Sequence, residues 1–156
     1  MLWGAYHFGT GEDGAAQADH FLAAIGDAAG VLTVLDWRRT RPAPSMTLAQ
    51  AHAFVGRVHQ KTGRYPGLYS GGYIKGLLGK TKDPVLAQCW FWLAQYGTAA
   101  EVPPTWPTWT LWQYTDGALG PPPHTVDGVG PCDRDKFNGG EAQLRRLWGV
   151  ALTCEP

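Results

Sequence analysis

The sequence predicts an α/β fold with a mainly parallel sheet. Three features predict it: short apolar runs alternate with helical stripes, glycine and proline stops separate them, and a carboxylate ends the most apolar run. That run is Val31-Leu-Thr-Val-Leu-Asp36, which follows Gly30 and leads into Trp37 and Arg38. Strand C-terminal ends are where α/β folds build their sites, so Asp36 is the first candidate functional residue. Arg38 lies two residues on and shares its face.

Taken in order, Leu2 to Phe8 reads as an aromatic strand stopped by Gly9-Thr-Gly11. Asp13 is placed to cap a helix whose stripe is Ala18, Phe21, Leu22, Ile25 and Ala29, with Gly30 as its stop. After the Asp36 strand, Pro42 and Pro44 mark a loop. Thr47 with Gln50 three residues on is a capping-box pattern, and Leu48, Ala51, Val55 and Val58 give a second helix ending at Gly63. Pro66 to Ser70 reads as a strand, Tyr73 to Leu78 as a short helix, Cys89 to Tyr96 as a strand buried on both sides, and Trp109 to Thr115 as the next strand. A long loop over 117–130 and a last strand over Asp133 to Phe137 follow. A helix from about Glu141, capped by Asn138 and packed through Leu144, Leu147 and Trp148, completes the pattern. Six strands, the early ones separated by helices, imply right-handed parallel crossovers.

The 156 residues fit one domain spanning 1–156 with a core of its own. Thirteen Lys and Arg balance thirteen Asp and Glu, so the formal net charge is zero; the chain offers no basic field for nucleic acid and no polybasic patch for a membrane. No apolar run approaches the length of a membrane span, and Met1 to Phe8 lacks the pattern of a signal peptide. Eight Trp and six Tyr fit either an aromatic core or a surface that stacks sugar rings, and the sequence leaves both readings open. Cys89, Cys132 and Cys154 have no metal-ligand spacing; Cys89 with Cys132 is a candidate bridge. The five histidines show no metal spacing and read as surface histidines.

Gly4-Ala-Tyr-His-Phe8, Leu35-Asp36, Gly67-Leu-Tyr-Ser-Gly71, Trp92-Leu-Ala-Gln-Tyr96, Trp112-Gln-Tyr-Thr115 and Asp133-x-Asp-x-Phe137, in this order and spacing, resemble glycoside hydrolase family 25, the N-acetylmuramidases or lysozymes of bacteria and phages. The resemblance covers nearly the whole chain. It implies an irregular TIM-like (β/α) barrel, incomplete at the N-terminus, with about six mainly parallel strands. The family starts with a strand carrying another active-site aspartate, then a helix and a second strand; on this resemblance the chain starts at the third strand. It further implies a wall-acting protein, secreted or phage-encoded, that needs no cofactor and whose partner is the glycan strand of peptidoglycan.

The resemblance makes Asp36 and Asp133 the candidate catalytic carboxylates and Tyr6, Tyr69, Trp92, Tyr96 and Trp112 the candidate substrate-binding residues. The family motif at the strand end is Asp-x-Glu, with Glu as the general acid; here Arg38 holds that position. Glycoside cleavage needs an acid to protonate the leaving oxygen and a second carboxylate as base, nucleophile or stabiliser. An arginine keeps its proton at any working pH, so Arg38 cannot be the acid. The expectation is a lysozyme-like chain that is weakly active or inactive. The alternatives are a non-catalytic peptidoglycan binder and a fragment. The alternative reading of Asp36 is a structural acid paired with Arg38 or Arg39, and that of Asp133 and Asp135 is a pair of solvated loop acids. An unpaired edge on the strand near Trp3 to Phe8 implies self-association.

Overall fold

Helix starts in this chain are fixed by side chains that satisfy otherwise orphaned backbone N–H groups. In the computed structural model, which describes residues 2–149, Asp13 accepts from Ala16 N at 2.8 Å and begins α1 (Gly14–Ile25). Thr47 and Gln50 form the expected capping box at the start of α2 (Leu48–Thr62), and Gly63, at φ 73°, ends it. The two helices cross closely at Gly14, where an added Cβ would lie 2.0 Å from the Gln50 carbonyl oxygen.

Strands β1 (Gly4–Phe8), β2 (Leu32–Asp36), β3 (Gly67–Ser70), β4 (Phe91–Ala94) and β5 (Leu111–Thr115) pair in parallel in that order. The short helix α3 (Gly72–Leu78) follows β3. After β5 comes a small hairpin, β6 (Thr125–Val126) with β7 (Gly130–Pro131), and then β8 (Arg134–Phe137), which adds to β5 antiparallel. The sheet thus has six strands in the order β1-β2-β3-β4-β5-β8. Helix α4 (Glu141–Leu147) brings the chain back toward the other edge: Arg64 Nη2 donates to the Leu147 carbonyl at 2.6 Å and the Trp148 indole N–H to the Trp3 carbonyl at 2.7 Å.

Register sorts the strand residues onto two faces, because side chains alternate. His7, Leu35, Leu68 and Phe91 are paired neighbours across β1 to β4 and point toward the helices. They or their neighbours pack with Phe21, Phe54, Val55, Val58 and Ile74; the His7 ring stacks on Phe54 at 5.3 Å. His7 also shares a 3.1 Å hydrogen bond with Gln17, and His52 one of 2.8 Å with Asp83. The other face carries the residues described below.

Several expectations are corrected. Helix α1 stops at Gly26, not Gly30: Gly26 takes φ 75° and its N–H closes the helix on Leu22 O. Strand β4 is shorter than expected and is not buried on both sides; Phe91 and Leu93 are sealed while Trp92 and Ala94 are half-buried. The loop over 117–130 contains the β6/β7 hairpin. Asn138 does not cap α4; it bonds Thr108 Oγ1 and Trp109 O, while Gln143 Oε1 accepts from Gly140 N at 3.1 Å. Cys89 and Cys132 are both free thiols, and Cys154 lies outside the described residues. Among the described residues no helix is long and apolar enough to cross a membrane, and no group of three His, Cys, Asp or Glu is disposed to hold a metal.

Candidate active site

Four strand ends create one row of side chains. Phe8, Asp36, Tyr69 and Trp92 are paired neighbours on β1, β2, β3 and β4, so they project from the same face near the C-terminal ends of parallel strands. Tyr6, two residues before Phe8, shares that face, and Gln113, two residues beyond the Trp92 partner Leu111, extends it onto β5. Antiparallel β8 begins where the parallel strands end, which brings Asp133 to the same rim. Tyr96 joins from the segment after β4. The outcome is a cleft of about 180 Å³ lined by Tyr6, Asp36, Arg38, Tyr69, Trp92, Tyr96, Gln113 and Asp133. A larger cavity of about 520 Å³ sits at the opposite, N-terminal ends of the strands beside Leu32, Arg64 and Trp90, and holds none of these acids.

Asp36 is 3% exposed, and both of its carboxylate oxygens accept from one partner. Arg38 Nε donates to Oδ1 at 2.7 Å and Nη2 to Oδ2 at 2.6 Å, a bidentate pair. The guanidinium carbon also stands 5.3 Å from the Phe8 ring centroid and 5.4 Å from that of Tyr69, within range of both π faces. Hydrogen bonding to Asp36 holds the Arg38 pKa above its ordinary value, so the group is a fixed cation. Arg39 does not compete for Asp36; it lies 5.5 Å from the Tyr73 ring.

Tyr69 donates its hydroxyl to Gln113 Oε1 and meets Trp92 edge-on with centroids 5.1 Å apart. Burial raises the Tyr69 pKa above that of a free tyrosine, and burial followed by Asp116 and Asp133 does the same at Tyr96, so both remain neutral donors. Tyr6 is 68% exposed, with its ring open to the cleft. Trp92 donates its indole N–H to Asp135 Oδ1 at 2.6 Å. Although solvent reaches Asp135, desolvation by the sheet face raises its pKa, the Trp92 bond opposes this, and the nearby Asp133 charge adds to it. Further along the same face, Trp90 stacks toward Trp92 at 6.5 Å and covers Gly67, where a Cβ would fall 2.2 Å from the indole.

The structure therefore gathers Asp36, Asp133, Tyr6, Tyr69, Trp92 and Tyr96 at one cleft. It does not bring Trp112 there. Trp112 pairs with Leu93 and so points toward the core; it is 5% exposed, and its N–H donates to Gln95 O at 2.7 Å. Gln113 takes the cleft position on β5, a residue that the sequence reading missed. The signal was present in the alternation, since Gln113 falls on the opposite face from the core-facing Trp112. Asp135 was missed as the partner of Trp92, a contact across 43 residues with no local signature.

Comparisons with known proteins bear on this cleft. Residues 1–120 match the profile of glycosyl hydrolases family 25. The chain is 33% identical to lysozyme M1 of Streptomyces globisporus, over 94% of this chain and 53% of that protein. It is 32% identical to an N,O-diacetylmuramidase of Arthroderma benhamiae, over 94% of this chain and 64% of that protein. Among solved structures, a muramidase from Acremonium alcalophilum superposes with a TM-score of 0.76 at 26% identity, covering 97% of this chain and 74% of that one. The bacterial lysozyme from Streptomyces coelicolor gives 0.75 at 30% identity with the same coverage. The chain thus spans between about half and two-thirds of the length of these two curated relatives.

Proposed function

The chain belongs to glycosyl hydrolases family 25, and from that premise we propose that it is a lysozyme-like domain whose cleft binds the glycan strand of peptidoglycan with little or no hydrolysis of the bond from N-acetylmuramic acid to N-acetylglucosamine. The reading rests on one observation, Arg38 locked onto Asp36 by two hydrogen bonds, taken together with the family resemblance, on which Arg38 stands where a general acid is expected.

A positioned general acid contributes about 10²–10⁴ in rate, and a guanidinium cannot take over that step because it does not release a proton near neutral pH. Its charge also opposes the positive charge that develops on the sugar ring in the transition state. Asp36, already shared with Arg38, is not free to stabilise that charge. Asp133 matches a family position with a different role. What remains supports binding: the rings of Tyr6, Tyr69, Trp92 and Tyr96 offer apolar faces for sugars, and the Tyr69 and Tyr96 hydroxyls stay protonated beside them.

The test is a pair of assays on the same preparation: turbidity of bacterial walls, and retention on insoluble peptidoglycan. Retention without clearing is expected. Absence of retention would overturn the reading. On the family resemblance, a further active-site aspartate belongs to a strand with no counterpart within residues 1–156. Arg38→Glu alone is therefore expected to bring back at most a small fraction of family activity, and Arg38→Glu joined to a family N-terminal segment considerably more.

A further inference from the structure

We infer that Arg38 makes this cleft a receptor for a carboxylate-bearing saccharide, selecting acidic glycan over neutral glycan of the same length. The inference rests on the glycan-binding reading above and adds the feature of the ligand that is recognised.

The guanidinium has five N–H donors. Asp36 takes one from Nε and one from Nη2, leaving both on Nη1 and the second on Nη2. One on each Nη forms the adjacent two-donor edge, the third points back beside the side-chain stem, and the side chain is 50% exposed in the cleft. Among the described residues, Arg38 hydrogen-bonds to no other side chain. The plane is also held in place. Asp36 anchors one edge from a nearly buried position, and the Phe8 and Tyr69 rings lie within 5.4 Å. A guanidinium fixed on one edge and open on the other fits a second carboxylate in the same two-point manner, with little side-chain entropy left to lose on binding.

Among the described residues Arg38 is the one cation lining this cleft, and it is where an anion would dock. Asp133 lines the cleft too, and its carboxylate opposes an anion while accepting bonds from sugar hydroxyls. The preference should accordingly be modest. A sugar polymer with a carboxylate on alternate residues meets these requirements: rings for Tyr6 and Trp92, hydroxyls for Asp133, and a carboxylate for Arg38. Peptide-free glycan of alternating N-acetylglucosamine and N-acetylmuramic acid is one such polymer, and a uronic acid oligomer is another.

The experiment measures the affinity of the unmodified chain for four tetrasaccharides: the peptide-free muramic acid glycan, the same glycan with its carboxyls amidated, the neutral N-acetylglucosamine oligomer, and a uronic acid oligomer. Amidation is expected to weaken binding by about tenfold, the scale of one charge-assisted contact at a half-exposed site. That difference should vanish in Arg38→Gln and return in part in Arg38→Lys, which restores the charge without the second edge. Binding to the uronic acid oligomer would support recognition of any sugar carboxylate; binding to the muramic acid glycan alone would assign it to the ether-linked lactate. Equal affinity for the free and amidated glycans overturns the inference while leaving glycan binding intact. Failure to bind any of the four overturns both. Should Arg38→Gln not fold, the comparison of free with amidated glycan on the unmodified chain still decides.

Discussion

Trp112 and Trp92 stand on adjacent strands of one sheet, yet Trp112 is sealed among core side chains and Trp92 lines the cleft beside Asp36 and Tyr69. The difference is one of parity: each strand turns alternate residues toward the helices or toward the rim. On the helix side, packing determines which side chains fit. Leu35, Leu68, Phe91 and Leu93 are fully buried in the core cluster, where Phe91 stacks on Trp106 at 4.3 Å. The open side carries two hydrogen-bonded pairs, Asp36 with Arg38 and Tyr69 with Gln113, with Tyr6 left exposed. Stability and ligand recognition are thereby assigned to opposite faces of the same strands. A substitution on one face should disturb one property and largely spare the other.

The largest effect is expected in the core. Phe54→Ala or Trp112→Ala removes a buried ring and should cost about 3–5 kcal/mol in denaturant unfolding, enough to threaten folding. On the open face, Tyr6→Ala should change stability by no more than about 0.5 kcal/mol. Trp92→Ala should weaken glycan binding about tenfold while the chain stays folded. If Trp92→Ala unfolds the chain and Trp112→Ala abolishes only binding, the division of the two faces is wrong.

A chemical probe sharpens the same contrast. Burial, assisted by Asp83, pushes the Cys89 thiol up to about 12, so very little thiolate exists at neutral pH, whereas Cys132 is partly exposed. Mass spectrometry after brief alkylation should find Cys132 modified in the folded chain and Cys89 modified only in denaturant. Early labelling of Cys89 would show that the helix-covered side opens readily.

The open edge of β1 is a further test, since among the described residues that strand pairs only with β2 and has Trp3, Tyr6 and Phe8 exposed nearby. Concentration-dependent association is expected by sedimentation velocity, as for other uncovered apolar edges. A monomer at high concentration would argue that the tie between Trp148 and Trp3 protects the edge sufficiently.

The smallest effect concerns Asp135. Its folded pKa is raised, so the folded chain holds that proton more tightly than the unfolded one. Its contribution to stability is present below the ordinary aspartate range and fades as pH rises through the raised value. Asp135→Asn should flatten this slope in pH-dependent melts, and an unchanged slope would assign it to other carboxylates.

Much of this arrangement can be read from local chemistry. The caps at Asp13 and Thr47, the stop at Gly63 and the strand ending in Asp36 are each set by a few neighbouring residues. The direction of β8 is less legible: only the hairpin in the preceding loop, in place of a crossover helix, lets the chain return antiparallel and carry Asp133 to the rim. Gly26 and Gly30 both take a positive φ, so the choice between them rests on which backbone N–H closes on Leu22, and that is Gly26. The place of Trp112 is less legible, because a family motif names adjacent residues without stating which face each occupies, and Trp112 pairs with core-facing Leu93. The Asp36–Arg38 pair was one of the alternatives on the sequence, since two arginines competed for the acid; the geometry assigns Arg38 to it and leaves Arg39 against Tyr73.

The central claim is that Arg38 has replaced the acid step with a fixed ion pair, and wall clearing by the unmodified chain, measured beside Asp36→Asn, tests it most directly. No clearing above buffer is expected from either protein, while the unmodified chain is retained on insoluble peptidoglycan. Clearing by the unmodified chain that disappears in Asp36→Asn would contradict the claim, because it would require a working general acid in a cleft that the proposed reading leaves without one.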